Sequence, residues 1–585
     1  LIALGFTAFS LRLVDLQIAQ HHYYAEIAAE KHSAKQTIPA RRGSIMDVNG
    51  VTLATNEPVK TVVVDASVSK QHDVLAEVVS RHLQMPYSEV REKVGRQIWS
   101  EKKQAYVASP FVVIKKEVPE TVAEALSSEL EKRHLRGLFL QQDFNRIYPN
   151  GSMLCHVVGF MNRDGIGVEG VEKSMQEFLR GHPGTRFTER DRSGREIPAF
   201  RKLERPPRHG SSVRLTVDLA LQDIVETELE AAYKQFSPAM ATCIMMRPST
   251  GEILALANRP NFDVNQRQGV DTRVRDNMAI MYMIEPGSTF KVVTTAAALD
   301  CKYVTPETVI NCEHGKYTYA GTTLHDSHHG FGSLSVHDVL VKSSNIGVAK
   351  LGLMLGENKL HSYIKSFGFG ELSGISLPNE IRGKVRPVEG WSKISITHIP
   401  MGHEVGASPL QVVSAMSTVA NRGRMMQPQI ISSILDEHGN EQAHYPPLEV
   451  RRVIPEDVAE HLVSSLKEVV SKKGTAALAH VPGFEVAGKT GTAQRSAKDG
   501  GYEHGRYVVS FVGFLPADKP EFCCLVLIDD AHTGSIPNYG GHVAAPVFSR
   551  IAARAARHLN LVPNADLLKV PNPLAQSVDK GRVGR

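Results

Sequence analysis

Glu285-Pro286-Gly287-Ser288-Thr289-Phe290-Lys291 runs straight into the apolar stretch 292–299, and this junction decides the fold. Pro and Gly ahead of an apolar run mark a helix start. Ser288 then sits at a helix N-terminus, where unpaired N–H groups and the helix dipole stabilise developing negative charge. Lys291 lies three residues on, on the same helix face as Ser288. A serine is a poor nucleophile until a neighbour takes its proton, and a lysine kept neutral by burial can do that. Alone, the spacing is a weak signal that more often marks a capping serine with an exposed lysine.

Outward from this junction, helical patterns cover 288–300, 335–342, 346–356, 409–421 and 456–471. Strand-like runs lie on both sides of them. Residues 241–246 and 253–257 flank the turn Pro248-Ser249-Thr250-Gly251, and 508–515 and 522–528 flank Pro516-Ala517-Asp518-Lys519-Pro520. Before them a short strand, 213–216, leads to Asp218 as N-cap of a helix with apolar residues at Leu221, Ile224, Val225, Leu229 and Ala232, close to a 3.6-residue period. Strands at both ends with helices between predict an α+β domain, one antiparallel sheet covered by helices.

Two further motifs fall where that architecture can use them. Ser343-Ser344-Asn345 sits between two helical patterns. A hydroxyl and a carboxamide two residues apart on such a turn can face one cleft, Ser343 to relay a proton and Asn345 to bind an amide. Lys489-Thr490-Gly491-Thr492 lies in the β-rich run 484–494. There Lys489 and Gly491 share one strand face and Thr490 and Thr492 the other, Gly491 leaves room for a ligand backbone, and Lys and Thr groups suit a carboxylate. The N–H groups of Ser288 and Thr492 form a candidate oxyanion hole. Ser and Asn are ordinary turn residues and an edge-strand lysine is ordinarily solvated, so neither motif decides anything alone. Together, in the order SxxK, SxN, KTG, they match the set that marks penicillin-binding proteins and serine β-lactamases.

Composition narrows the rest. The 585 residues leave room for about four folding units, and a net charge of +5 over that length is too small for a nucleic-acid binder. With 42% hydrophobic and 22% charged residues the chain is not disordered, and six cysteines are too few for a disulfide scaffold. Cys523 and Cys524 point to opposite faces of one apolar strand, whereas Cys301 and Cys312 are near enough in sequence for a bridge to stay open. Residues 1–11 carry no charge before Arg12, and a bilayer needs ~20 apolar residues. The reading expects the outer half of a truncated N-terminal transmembrane helix running into a juxtamembrane helix over 11–20, with a buried helix as the alternative. Residues 21 to about 210 are rich in short β-like runs such as 61–64 and 111–114, with helical patterns at 73–82 and 121–133. They contain no nucleophile-and-base pair, which suits a scaffold.

Nearly the whole chain resembles the class B penicillin-binding proteins, the monofunctional D,D-transpeptidases of peptidoglycan synthesis. The N-terminal half carries Arg42-Gly43-Ser44-Ile45, Asp47-Val48-Asn49-Gly50, Leu53-Ala54, Arg146-Ile147-Tyr148-Pro149, Gly167-Val168-Glu169-Gly170-Val171-Glu172, and Asp191 with Gly194. These are similar to motifs of that family's non-catalytic pedestal, which pack its domains together and engage partners. The stretches 391–400, Gly402-His403-Glu404-Val405, Ser408-Pro409-Leu410-Gln411 and 539–548 resemble the division-type, FtsI-like branch; the elongation type usually differs around 391–411.

The resemblance implies a partial anchor over 1–20, a β-rich pedestal (dimerisation-like) domain over 21–210, a transpeptidase domain over 211–560 and a flexible tail over 561–585. It implies two-step acyl transfer. Ser288, with Lys291 as base, attacks the penultimate D-Ala carbonyl of a stem peptide ending in D-Ala-D-Ala. The terminal D-Ala leaves, protonated through Ser343, and an amine of a neighbouring stem resolves the acyl-enzyme. Lys489, Thr490 and Thr492 hold the terminal carboxylate and Asn345 orients the substrate amide. No cofactor, metal or nucleic acid is implied. Implied partners are β-lactams, which acylate Ser288, and an FtsW-like SEDS-type glycosyltransferase with other divisome proteins. The implied location is the cytoplasmic membrane, single-pass, with the catalytic domain outside it. The second motif is Ser-Ser-Asn rather than the Ser-Asp-Asn of class A β-lactamases, as is usual for this branch. Glu357-Asn358-Lys359-Leu360-His361 only superficially resembles the lactamase deacylation motif and lacks its fifth-position Asn, so it reads as a solvated helix end. His325-Asp326-Ser327-His328-His329 reads as a family loop rather than a zinc site. An elongation-type transpeptidase, a serine β-lactamase or carboxypeptidase, a β-lactam sensor and a silent scaffold are the alternatives. A glycosyltransferase domain is disfavoured, because the N-terminal segment shows no catalytic carboxylate arrangement.

Overall fold

In the computed structural model the described residues are 2–24, 33–101, 103–190, 196–197, 203–326, 330–496 and 501–569. The motif residues Asp191 and Gly194, Ser327 to His329 of the histidine-rich loop, and the tail beyond 569 lie outside them. Helix α1 (Ile2–Val14) occupies the apolar start, and no helix among the described residues is long and apolar enough to cross a membrane.

The N-terminal half is built on a two-residue strand β1 (Ile45–Met46) and the long strand β2 (Thr52–Val64). Helix α2 (His72–Leu83), strand β3 (Val112–Pro119), helix α3 (Glu120–Lys132) and strand β4 (Leu138–Ile147) come next. β3 and β4 both pair antiparallel with β2. The apolar stripes of α2 and α3 close on this sheet, burying Leu75, Val79 and Leu126 with Val62 and Val64.

Three of the motifs quoted from this half meet at one carboxylate. Glu172 is fully buried. Arg42 Nε donates to its Oε2 at 2.6 Å, Arg146 Nε to Oε1 at 2.8 Å, and Tyr148 Oη to Oε1 at 3.3 Å. Arg42 Nη2 also donates to the Glu172 carbonyl, and Arg146 Nη1 to that of Gly43. A buried ion costs several kcal/mol unless paired and hydrogen-bonded, and two guanidinium forks supply both.

The N-terminal half is stitched to the C-terminal half by side chains and by strand pairing. Asp47 Oδ1 accepts the N–H groups of Asn49 and Val51, and its Oδ2 that of Leu219. β5 (Ser212–Leu215) pairs parallel with β1. It also pairs antiparallel with a strand contributed much later, 431–435. One seven-stranded sheet therefore takes strands from both sides of residue 210.

Asp218 caps α4 (Leu219–Phe236), its Oδ1 accepting from the N–H groups of Ala220 and Leu221. Next come β6 (Met240–Met246) and β7 (Ile253–Arg259), and then α5 (Lys291–Asp300), α6 (Val336–Val341), α7 (Asn345–Leu355), α8 (Pro409–Ala420) and α9 (Glu456–Val469). The chain returns to the sheet with β8 (Ala487–Ser496), β9 (Tyr502–Leu515) and β10 (Phe522–Asp529), and then forms α10 (Gly540–His558). The central sheet is antiparallel throughout in the order β7-β6-β10-β9-β8. Its faces bury different helices. Cys524, Val526 and Phe511 pack with α4 and α10, whereas Cys523, Leu525 and Val512 pack with α5, α8 and α9. Adjacent cysteines thus enter two cores, as period-2 alternation requires. Cys301 and Cys312 are free thiols.

Replacing Glu172 by alanine leaves two buried guanidinium groups facing each other, and we expect a loss of about 3–5 kcal/mol. Urea unfolding of the full chain, monitored by Trp99 fluorescence in a Trp391→Phe background, measures it; an unchanged midpoint would show that the ion cluster does not hold the N-terminal half.

Candidate active site

Ser288 lies in a 3₁₀ turn, Gly287–Phe290, that feeds directly into α5. The turn starts with Gly287 at φ +53°, a conformation that β-carbon-bearing residues adopt only with strain. Ser288 is half-buried, and its hydroxyl makes no hydrogen bond to another described residue.

Lys291 is 1% exposed and Lys489 is 0% exposed. Lys291 Nζ donates to the Ser343 carbonyl at 2.6 Å and to Asn345 Oδ1 at 2.6 Å, and lies 3.2 Å from Ser343 Oγ. Lys489 Nζ reaches the same Oγ from β8 at 2.9 Å. Burial lowers the Lys291 pKa to about 7. It pushes that of Lys489 well down too, with the nearby Lys291 charge adding to the effect. A neutral lysine has two N–H donors and one lone pair. At Lys291 the two short bonds use the donors, which leaves the lone pair on the side of the Ser343 hydroxyl, 3.2 Å away.

Ser343 has φ +59°, in the left-handed region, where a non-glycine residue carries roughly 1–3 kcal/mol of strain. In this conformation its carbonyl and hydroxyl both meet Lys291. Ser344 caps α7, its Oγ accepting the Gly347 N–H at 2.9 Å. Asn345 commits both ends of its amide, Oδ1 to Lys291 and Nδ2 to the His325 carbonyl at 2.9 Å.

β8 meets the serine turn side-on. A β-carbon on Gly491 would stand 2.4 Å from Ser510 Oγ and 3.1 Å from Thr289 Cγ2, so this glycine lets the strand close onto the turn itself. Likewise Gly287 abuts the Thr492 carbonyl and Ala493, which brings the Ser288 and Thr492 backbones side by side. On the other face Thr490 Oγ1 pairs with Thr475 Oγ1 at 2.8 Å, and Thr492 Oγ1 accepts the Gly540 N–H at 3.2 Å.

Two supports carried no role in the sequence reading. Asp326 Oδ1 accepts the N–H groups of Asn345 at 2.6 Å and Ile346 at 3.1 Å, and Ser344 Oγ donates to the same carboxylate at 3.0 Å. It caps α7 from a distant loop, and its charge opposes the burial effect on Lys291. Among the described residues no His, Cys, Asp and Glu group could hold a metal ion. Glu285, just ahead of the serine turn, faces His403 Nδ1 at 2.9 Å and accepts the Glu404 N–H at 2.9 Å and Tyr502 Oη at 3.1 Å. The Gly402–Glu404 stretch was visible in sequence, but its partner was not.

Residues 241–553 match the family described as penicillin binding protein transpeptidase domain, and residues 37–215 match the penicillin-binding protein dimerisation domain. The chain is 32% identical over 590 residues to Stage V sporulation protein D of Bacillus subtilis, covering 98% of this chain and 88% of that protein. It is 29% identical over 557 residues to peptidoglycan D,D-transpeptidase FtsI of Escherichia coli K12, covering 94% and 89%. Among solved structures, penicillin binding protein 3 of Mycobacterium tuberculosis complexed with ampicillin aligns with TM-score 0.69 at 25% identity, covering 92% of this chain and 99% of that one. A peptidoglycan synthetase of Bifidobacterium adolescentis shares the fold at TM-score 0.73 and 24% identity, covering 91% and 98%.

Asp326→Asn removes the charge that favours protonated Lys291, so the Lys291 titration midpoint should fall further below the ordinary lysine range, and the weakened α7 cap should cost about 1 kcal/mol. Carbon-13 NMR of the lysine Cε resonances reads the midpoint and thermal unfolding reads the cap; a midpoint that rises would count against this placement of charge.

Proposed function

The chain belongs to the class B penicillin-binding proteins and is a serine-type peptidoglycan D,D-transpeptidase, and from that premise we propose that it cross-links stem peptides at the division septum through an acyl-enzyme on Ser288. The buried contact of Lys291 and Lys489 with one Ser343 hydroxyl carries this reading.

In the first step Lys291, neutral through burial, takes the Ser288 hydroxyl proton as Oγ attacks the penultimate D-Ala carbonyl. In this reading the Ser288 and Thr492 N–H groups receive the oxyanion, which the close approach of Gly287 to the Thr492 carbonyl supports. The proton passes through Ser343 to the leaving D-Ala. Lys489 offers N–H donors to the terminal carboxylate, with Thr492 and Thr490 beside it. Asn345 holds Lys291 in place through Oδ1, with its second Nδ2 hydrogen left for the substrate amide. β-Lactams acylate Ser288 by the same route. The segments resembling the division branch, and relatives named FtsI, favour the septum over lateral wall growth. The similarity to a stage V sporulation protein favours a second reading with the same chemistry in a wall made during sporulation. The proposal includes a membrane-anchored N-terminus, residues 21–210 as the non-catalytic pedestal, 211–560 as the catalytic domain, and an FtsW-like polymerase as partner.

Fluorescent penicillin should label the protein covalently and leave Ser288→Ala unlabelled; an unlabelled wild type would overturn the reading, and rapid loss of label would point to a lactamase. Lys291→Ala should slow acylation by roughly 10²–10⁴. Because the base works deprotonated and its pKa is about 7, acylation should rise with pH up to that value and level off above it. A profile flat from pH 5 to 9 would contradict Lys291 as base. Depletion separates the two settings: filaments indicate the septum, and blocked spores with normal growth indicate sporulation.

A further inference from the structure

The bond from Lys489 Nζ to Ser343 Oγ, 2.9 Å long, joins residues 146 apart in sequence. Ser343 follows α6, among the helices, whereas Lys489 lies on β8 of the sheet. A third segment, residues 471–475, reaches both. Lys342 Nζ, next to Ser343, donates to the Lys473 carbonyl at 2.9 Å. Thr475 Oγ1 meets Thr490 Oγ1, next to Lys489, at 2.8 Å. The contacts close a ring, Ser343 to Lys342, Lys473, Thr475, Thr490, Lys489 and back to Ser343.

The segment that carries this link is itself held at both ends. It leaves the C-terminal end of α9, where the Ser471 N–H donates to the Glu468 carbonyl and the Ala476 N–H returns to the Val469 carbonyl, both at 3.0 Å. A β-carbon on Gly474 would stand 2.2 Å from the Val469 carbonyl oxygen. One on Gly541, in the first turn of α10, would stand 2.1 Å from the Thr475 carbonyl oxygen. Glycine at these two positions lets α9 and α10 close on the segment from either side. α9 is tied in turn to α6, Ser465 Oγ to His337 Nδ1 at 2.9 Å. Thr490 is buried, and Lys489 Nζ lies 3.5 Å from its hydroxyl. The segment therefore grips the residue next to each partner of the Lys489–Ser343 bond.

We propose that Thr475 and Lys342 are positioning residues, which keep Lys489 and Ser343 at hydrogen-bond distance for proton delivery to the leaving nitrogen. The inference rests on the acyl-transfer reading above. In that reading Ser288 Oγ gives its proton to Lys291 and bonds to the acyl carbon. The C–N bond then breaks as nitrogen takes a proton from Ser343, which Lys291 restores. Small errors of placement are costly in such a relay, because proton transfer needs its groups already aligned. A leaving group that needs no proton is indifferent to that alignment. A thiol has a pKa of about 8.5 and leaves as the anion, whereas an amide nitrogen must be protonated to leave.

Acylation of the full chain is timed with fluorescent penicillin, whose ring nitrogen must gain a proton, and with a D-alanyl thioester. Thr475→Val keeps the shape and removes the hydroxyl; it should slow the penicillin reaction about tenfold and the thioester reaction no more than about twofold. Thr475→Ser should restore the penicillin rate. Lys342→Met, at the other end of the segment, should show the same bias and Lys342→Arg should not. Ser343→Ala, which removes the relay itself, sets the size of the bias. Rates lost equally on both donors in Thr475→Val and Lys342→Met, or lost on neither, would overturn the positioning role while leaving acylation of Ser288 standing. A Ser343→Ala variant without the bias would overturn the proton relay and the inference with it.

Discussion

Two lysine side chains are taken out of water around a single serine hydroxyl, and the catalytic half is arranged to hold them there. Burial disfavours the charged form of each, and two ammonium groups sharing Ser343 Oγ disfavour one another. The result is a lysine whose lone pair is available near neutral pH. Three chain segments far apart in sequence must converge for this: the first turn of α5, the turn before α7, and β8. Gly491 lets β8 close on the serine turn, the left-handed Ser343 aims its carbonyl and hydroxyl at Lys291, and Asp326 ties down the N-terminus of α7.

The N-terminal half solves the burial of charge the opposite way. Around Glu172 the two cations are arginines. A guanidinium keeps its proton even when burial lowers its pKa, as at Arg42, and its planar fork satisfies a carboxylate directly. The ion cluster is therefore a permanent clamp, whereas Lys291 can lose its proton near neutral pH. The clamp matters to the site because β1 and β5 lie in one sheet with strand 431–435, so the N-terminal and C-terminal halves share backbone hydrogen bonds.

Much of this was legible in the residues. The strands at 241–246, 508–515 and 522–528 read correctly because a sheet buried on both faces leaves runs with few polar interruptions, and Asp218 read correctly because a cap is a local interaction. Ser288, Lys291, Ser343, Asn345 and Lys489 stood out because their motifs are short and ordered. Asp326 did not. It lies in a histidine-rich loop that invited thoughts of a metal, and its role depends on a helix end reached only after folding. Glu285 was quoted with the serine motif, but its contact with His403 spans more than a hundred residues. Gly491 was legible as an absence of side chain, while the atoms that need the space, Thr289 and Ser510, were not.

The sequence by itself determined the element types, the three-motif order and the candidate residues for acyl transfer, because periodicity, caps and nucleophile–base spacing act over a few residues. Only the tertiary structure decided which of those groups are buried and which are already engaged. Asn345 is committed to Lys291 and His325, and Thr490 to Thr475. A side chain's protonation and availability depend on the water it loses and the partners it meets, and both are set by segments that sequence proximity does not connect.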